Sequence, residues 1–250
     1  MKATIIVLLF IVSFQTLRAQ QFINKATVEF EVKKSILKDM GNNMWDEMMK
    51  ENLPPFKISY FNFTFSNNKS IYKFNHLDEK IKLPEHMKRE EEENEWYTNY
   101  TNNIFEMKKG VMGSPFYIKD SLPSIEWKIT NERRVIAGFN CRKAVGKIFD
   151  SVYVFAFYTD EIMISGGPCS INGLPGMILG MTIPRLFTSW IATKVMINDV
   201  NETAIKPAST KKSFPNKEFK NLLTDRIKEW VEYYKDEKSV ATRFLWNALL

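Results

Sequence analysis

Residues 26–32 read Ala26-Thr27-Val28-Glu29-Phe30-Glu31-Val32, which puts Ala26, Val28, Phe30 and Val32 on one side of an extended chain and Thr27, Glu29 and Glu31 on the other. Successive side chains of a strand point to opposite faces, so this stretch predicts a strand with one buried and one wet face. The same period runs through Phe56–Phe65 and resumes after the turn-like Ser66–Lys69 as Ser70–Phe74, which predicts a β-hairpin. Further strand signals fall at Ile104–Lys108, Phe116–Ile118, Ile125–Ile129, Asn140–Lys147, Val152–Tyr158, Met177–Ile183 and Trp190–Ile197, with a turn at Asn131–Arg133. Val152–Tyr158 is apolar on both faces and reads as central. No helical segments alternate with these strands to carry parallel crossovers. The expectation is an α+β, β-rich fold built on a curved antiparallel sheet or partial barrel of about nine strands.

Two helical patterns stand outside the strands. Phe219, Leu222, Leu223, Ile227, Trp230, Val231 and Tyr234 recur at three- and four-residue steps after Pro215, which predicts an amphipathic helix at about 216–236 whose stripe covers the sheet. Ser239–Leu250 is apolar enough to dock as a second, short helix. Near the other end, Met44–Glu51 predicts a short helix that Pro54 and Pro55 stop. Residues 77–94 hold Lys, Arg and Glu in excess, including Glu90–Glu93, and predict a solvated loop.

The first residues place Lys2 before an apolar run from Ile5 to Phe14 and the small residue Ala19. That order predicts a cleavable secretory signal over residues 1–19, too short in its apolar part to span a bilayer, followed by one domain over 20–250 that works in the periplasm or outside the cell. Cleavage takes Lys2 and Arg18 and lowers the net charge from +6 to +4. So small a surplus, with no basic run interleaved with aromatics, argues against nucleic-acid binding. No later stretch approaches the length of a transmembrane helix. In an oxidising compartment the only cysteines, Cys141 and Cys169, are expected to form a disulfide, with buried free thiols or half of a soft-metal site as the competing readings.

Groups suited to catalysis are sparse. His76 and His86 are the only histidines, in a charged region and without metalloprotease spacing. Gly113-Ser114-Pro115 and Gly167–Ser170 lack the frame of a nucleophile elbow. Asp46 with Glu47, and Asp160 with Glu161, are sequence neighbours that point apart. No cofactor motif is present, and neither a catalytic nor a metal-ligand set is assigned. Met40, Met44 and Met48 recur every fourth residue and, on a helix, would form one thioether stripe, a candidate lining for an apolar ligand groove or a soft site for Cu(I).

One loop is unusual. Ser165–Leu179 concentrates Gly166, Gly167, Pro168, Gly173, Pro175 and Gly176 between two apolar strands. Proline locks φ and glycine reaches conformations closed to other residues, so such a density fixes an uncommon path. Gly173-Leu174-Pro175-Gly176-Met177-Ile178 resembles the signature of the GLPGLI family of exported bacterial proteins, whose biochemical role is not established, with Met177 in place of the family's leucine. Glu126–Ile129, Gly138–Ala144, Tyr158-Thr159 with Ile164, and Gly167-Pro168 agree with it in order. The resemblance spans about Ala26 to Asn198; it implies export and a shared fold and hands over no activity. The functional expectation is a noncatalytic module that binds an apolar ligand or an envelope protein partner, with a copper-handling factor or an unrecognised envelope enzyme as the alternative.

Overall fold

The computed structural model describes residues 22–88, 91–149, 151–198, 200–208, 212–228, 232 and 238–250. The expected signal over 1–19 lies outside the described residues, as do Trp230, Val231 and Tyr234 of the expected helical stripe. No helix among the described residues is long and apolar enough to cross a membrane.

Among the described residues eleven strands form one antiparallel sheet, against the expected nine or so. They are β1 (Ala26–Ser35), β2 (Phe56–Ser66), β3 (Lys69–Leu77), β4 (Glu95–Asn99), β5 (Ile104–Val111), β6 (Ser114–Ser121), β7 (Lys128–Ile136), β8 (Phe139–Ile148), β9 (Val152–Thr159), β10 (Met177–Ile183) and β11 (Thr188–Met196). Their order is β6-β5-β4-β3-β2-β1-β11-β10-β9-β8-β7. The chain therefore builds one arm outward from β1 to β6, jumps to the opposite edge, and returns from β7 to lay β11 beside β1. Val32 then faces Trp190, and Phe30 faces Ala192.

The jump fixes the shape. Ten inter-strand spacings set the edges of a flat sheet roughly 48 Å apart, whereas the seven steps from Ser121 to Lys128 reach at most roughly 25 Å. The sheet must curl until its arms face each other. Closure stays incomplete, for β6 pairs not with β7 but with a single bridge to Phe214, whose N–H donates to the Tyr117 carbonyl at 2.8 Å.

Alternation decides what fills the curl. Phe30 and Val32 of β1, Phe61, Phe63 and Phe65 of β2, Tyr72 of β3, Trp96 of β4, Val154 and Ala156 of β9, and Trp190 of β11 are all buried on the concave side. Their neighbours in sequence point outward. At roughly 25 cal/mol per Å² of apolar area this aromatic interior is the chief stabilising term. Tyr72 is its hub, with ring centroids 4.9 Å from Phe61 and 5.3 Å from Trp96.

Among the described residues the α-helices α1 (Ile36–Asp39), α2 (Met44–Lys50), α3 (Glu85–Lys88), α4 (Asn216–Arg226) and α5 (Lys238–Leu249) accompany the sheet. Phe219 and Leu223 of α4 are fully buried, and the Phe219 ring lies 5.2 Å from Phe116 on β6. Ala248 and Leu250 join the main core. The residues expected to form a solvated loop at 77–94 include α3 and a tether: the ammonium of Lys57, 4% exposed, donates to the Met87 carbonyl at 2.6 Å and lies 3.4 Å from Glu91. Glu91 also accepts from Ser59 at 2.6 Å.

Candidate functional site

The Gly/Pro-rich loop is the piece that joins the two arms at one end of the curl. It leaves β9, crosses to β3 and β4 through a 3-10 turn at Pro168–Ser170, and enters β10 at Met177. Ser170 and Thr98 of β4 share a 3.0 Å hydrogen bond. The Trp127 indole, from the segment between the edge strands, donates to the Asn172 carbonyl at 2.9 Å, and the Asn172 amide reaches the Pro123 carbonyl at 3.3 Å. Arms and connecting segment are thus stapled by one loop.

Its composition follows from these close approaches. Gly176 has φ +137°, and a Cβ there would collide with the Thr159 carbonyl oxygen. A Cβ on Gly166 would strike the Tyr100 hydroxyl, itself bonded to Ser70 at 3.2 Å. Gly167 lies against Ile178, and Pro168 opens the turn. Leu174, Met177 and Ile178 are buried, whereas Gly173 and Pro175 face outward. Burial drives the Tyr100 hydroxyl up to about 12, hydrogen bonds from Ser70 and Thr98 moderating the rise.

Cys169 is the loop residue that reaches both of two neighbouring cavities. It and Ser170 take φ values of +54° and +58°, a left-handed conformation that strains a residue with a Cβ. Cys169 lies between these two half-open cavities. The first, of about 330 Å³, is lined by Val32, Phe61, Tyr72, Trp96 and Trp190 with a polar margin that includes Asp39, Glu91 and Lys109. The second, of about 790 Å³, lies between Trp96, Phe105 and Met107 of one arm and Gly146 and Ile148 of the other. Trp96, Cys169 and Leu250 line both and form the partition, and the Trp96 indole donates to the Leu250 carbonyl at 2.8 Å.

The expected disulfide is not present; both cysteines are free. Alternation explains it. Cys141 shares the outer side of β8 with Lys143 and Val145, which pair with Phe157 and Phe155, while Ala144 and Gly146 face the interior. Cys169 sits in that interior beside Tyr72, so the two thiols lie on opposite faces of the sheet. Burial pushes both thiols up to about 12. Neither is a ready nucleophile at neutral pH.

The methionines separate as well. Met40 ends α1 in an extended conformation and lines the first cavity. Met44 and Met48, on α2, are 79% and 57% exposed, so the three do not share a helix face. Asn43 breaks the run by capping α2, its side chain accepting from the Asp46 N–H at 2.9 Å. Among the described residues no three His, Cys, Asp or Glu side chains gather as a metal cluster. His76 stacks on Tyr60, with centroids 4.5 Å apart.

Sequence reading missed the cavity residues Tyr72, Trp96, Lys109 and Trp190 as a group. Each carries an inward parity in its own strand, but only the curl brings them together.

No family model matches the chain, and no curated protein matches it. Two solved structures of PNGF-II match part of it. The one in the P21 space group has a TM-score of 0.46 at 19% identity over 75% of this chain and 31% of that chain. The one in the C2 space group has a TM-score of 0.43 at 20% identity over 76% of this chain and 31% of that chain. The chain thus spans about a third of the length of those proteins.

Proposed function

We propose that this is an exported envelope protein of the GLPGLI type that holds an apolar ligand inside its curled sheet without transforming it. The observation that carries the reading is the pair of adjoining half-open cavities, about 330 and 790 Å³, each with an aromatic and aliphatic wall and a substantial polar margin, which in the first includes Asp39, Glu91 and Lys109 and in the second Glu126, Lys128 and Lys147. Those sizes and that lining suit a small-molecule site. In this reading α4 and α5 are the cover over the open side of the curl, and the Gly/Pro-rich loop is the fixed element that staples the arms beside the cavities.

Native mass spectrometry of the protein recovered from the periplasm or medium tests it. The expected result is a noncovalent adduct of one small molecule, lost on organic extraction, on a polypeptide beginning at Gln20. A chain that carries no adduct and leaves an apolar fluorescent probe unbound after extraction would overturn ligand holding. A chain retained in the cytoplasm with residues 1–19 intact would overturn export.

A second reading rests on Met40, Met112 and Cys169, three sulfur side chains that line the first cavity. Thioether and thiolate ligands suit Cu(I), and metal binding would draw the thiol proton off despite its high pKa. Stoichiometric copper that disappears in Met40→Leu and Cys169→Ser would favour this reading over the first.

A further inference from the structure

The acids that face the first cavity are answered within the protein. Asp39 is held by Lys34 at 2.7 Å and by Arg243, which also donates to its carbonyl at 3.0 Å. Glu91 is held by Ser59 and Lys57. Asp46 accepts from the Asn43 amide at 2.8 Å. The Lys109 ammonium lies over the Trp96 ring, 4.9 Å from its centroid.

The hydroxyl of Tyr72 is different. Tyr72 lines the same cavity and is fully buried, yet its oxygen has no hydrogen-bond partner among the described residues. The Trp190 indole lies close enough to ease ionisation slightly, but not in the geometry of a hydrogen bond. Burial, then the neighbouring Cys169 and Glu91, holds this phenol well above the usual tyrosine range, so it stays an O–H donor. A buried donor without an acceptor is an unfavourable state that a ligand oxygen relieves. A ligand carboxylate is not so welcome, since the Lys34 ammonium lining the cavity is matched to Asp39 and that of Lys109 lies over the Trp96 ring, and a charge without its counter-charge is far more costly to desolvate than a neutral dipole.

We propose that the first cavity selects a neutral amphiphile, an apolar body bearing one uncharged oxygen acceptor such as an ester or a hydroxyl, held by a hydrogen bond donated by Tyr72. The apolar body packs on Phe61, Trp96 and Trp190. This assignment rests on the ligand-holding reading above and narrows it from any apolar ligand to one chemical class.

The test titrates the full chain, freed of adducts, with three probes of equal chain length: methyl myristate, 1-tetradecanol and myristate ion at a pH where it is charged. The readout is tryptophan fluorescence, because Trp96 and Trp190 line the cavity. The ester and the alcohol are expected to bind about tenfold more tightly than the carboxylate, and Tyr72→Phe is expected to weaken the ester about five- to tenfold and so remove most of that preference. Ala248→Phe, which fills the cavity from α5 without touching the hydroxyl, is expected to abolish binding of all three. A carboxylate bound as tightly as the ester, or a preference that survives Tyr72→Phe, overturns this proposal and leaves ligand holding intact. Failure of every probe to bind the native chain overturns both. The comparison of ester with carboxylate is made on the native protein, so it decides the matter even where circular dichroism finds Tyr72→Phe unfolded.

Discussion

Gly176 and Gly113 both have positive φ, but they stand in different company. At Gly176 the Thr159 carbonyl occupies the place of a side chain, whereas at Gly113, φ +74°, nothing lies within 4 Å of one. Gly176→Ala is therefore expected to destabilise the protein by about 3 kcal/mol or more, adding a backbone collision to left-handed strain, and Gly113→Ala by about 1 kcal/mol from strain alone. Urea denaturation of the two variants measures the difference. The buried thiols and Tyr100 give a second residue-scale prediction. Cys141, Cys169 and Tyr100 have folded pKa values raised to about 12 from 9.0, 9.0 and 10.0. Raised values mean that the folded state favours the protonated form, so their contribution is complete below the ordinary values and is lost as pH climbs through about 12. The urea midpoint is expected to hold steady up to about pH 8.5 and to fall steeply by about pH 11, with a shallower fall in the Cys141→Ala, Cys169→Ala double variant. Since both cysteines are free, a thiol reductant at neutral pH is expected to leave the melting temperature unchanged.

At the scale of elements, much of the sheet was legible because alternation is a local property of the chain. The parity of Ala26–Val32 and of the hairpin Phe56–Phe74 carried directly into β1, β2 and β3. Where reading failed, a partner supplied what the segment lacked. Glu95-Trp96-Tyr97-Thr98-Asn99 has too short an apolar pattern to announce itself; it is β4 because β3 and β5 flank it and satisfy its backbone on both sides. The stretch Asn131–Arg133, read as a turn, is a bulge inside β7, where pairing with β8 shifts register between Ile129 and Arg133. The true turn is Ala137-Gly138, whose φ values of +49° and +88° match the twist of a two-residue hairpin loop. The charged segment 77–94 is docked because Lys57, a cation at an inward position of β2, needs an anion, and Glu91 supplies it. Glu91→Gln is expected to leave that cation buried without its counter-charge and to cost about 3 kcal/mol, with faster amide exchange confined at first to the segment around α3. Phe219→Ala, which opens a hole between α4 and β6, is expected to cost about 3–5 kcal/mol and to raise exchange in β6 before β1.

For the whole molecule, the decisive pairing is between its first and last strands, with Thr27 opposite Met196. Neither arm closes until that long-range ladder forms, and loop entropy must be overcome before those contacts contribute. Refolding from urea is accordingly expected to be slow, in the millisecond-to-second range of β-rich domains, and single-exponential at low protein concentration; stopped-flow fluorescence checks this, and microsecond recovery of the native tryptophan signal would contradict it. Composition and alternation, properties of neighbouring residues, were enough to determine that the chain is β-rich, that its strands pair antiparallel, and which side of each strand is dry. Strand count, the curl enforced by the short connection between edge strands, the separation of Cys141 from Cys169, and the meeting of Tyr72, Trp96, Lys109 and Trp190 around one cavity were decided only in three dimensions. Each depends on which distant segments lie side by side, and no period within a single strand records that choice.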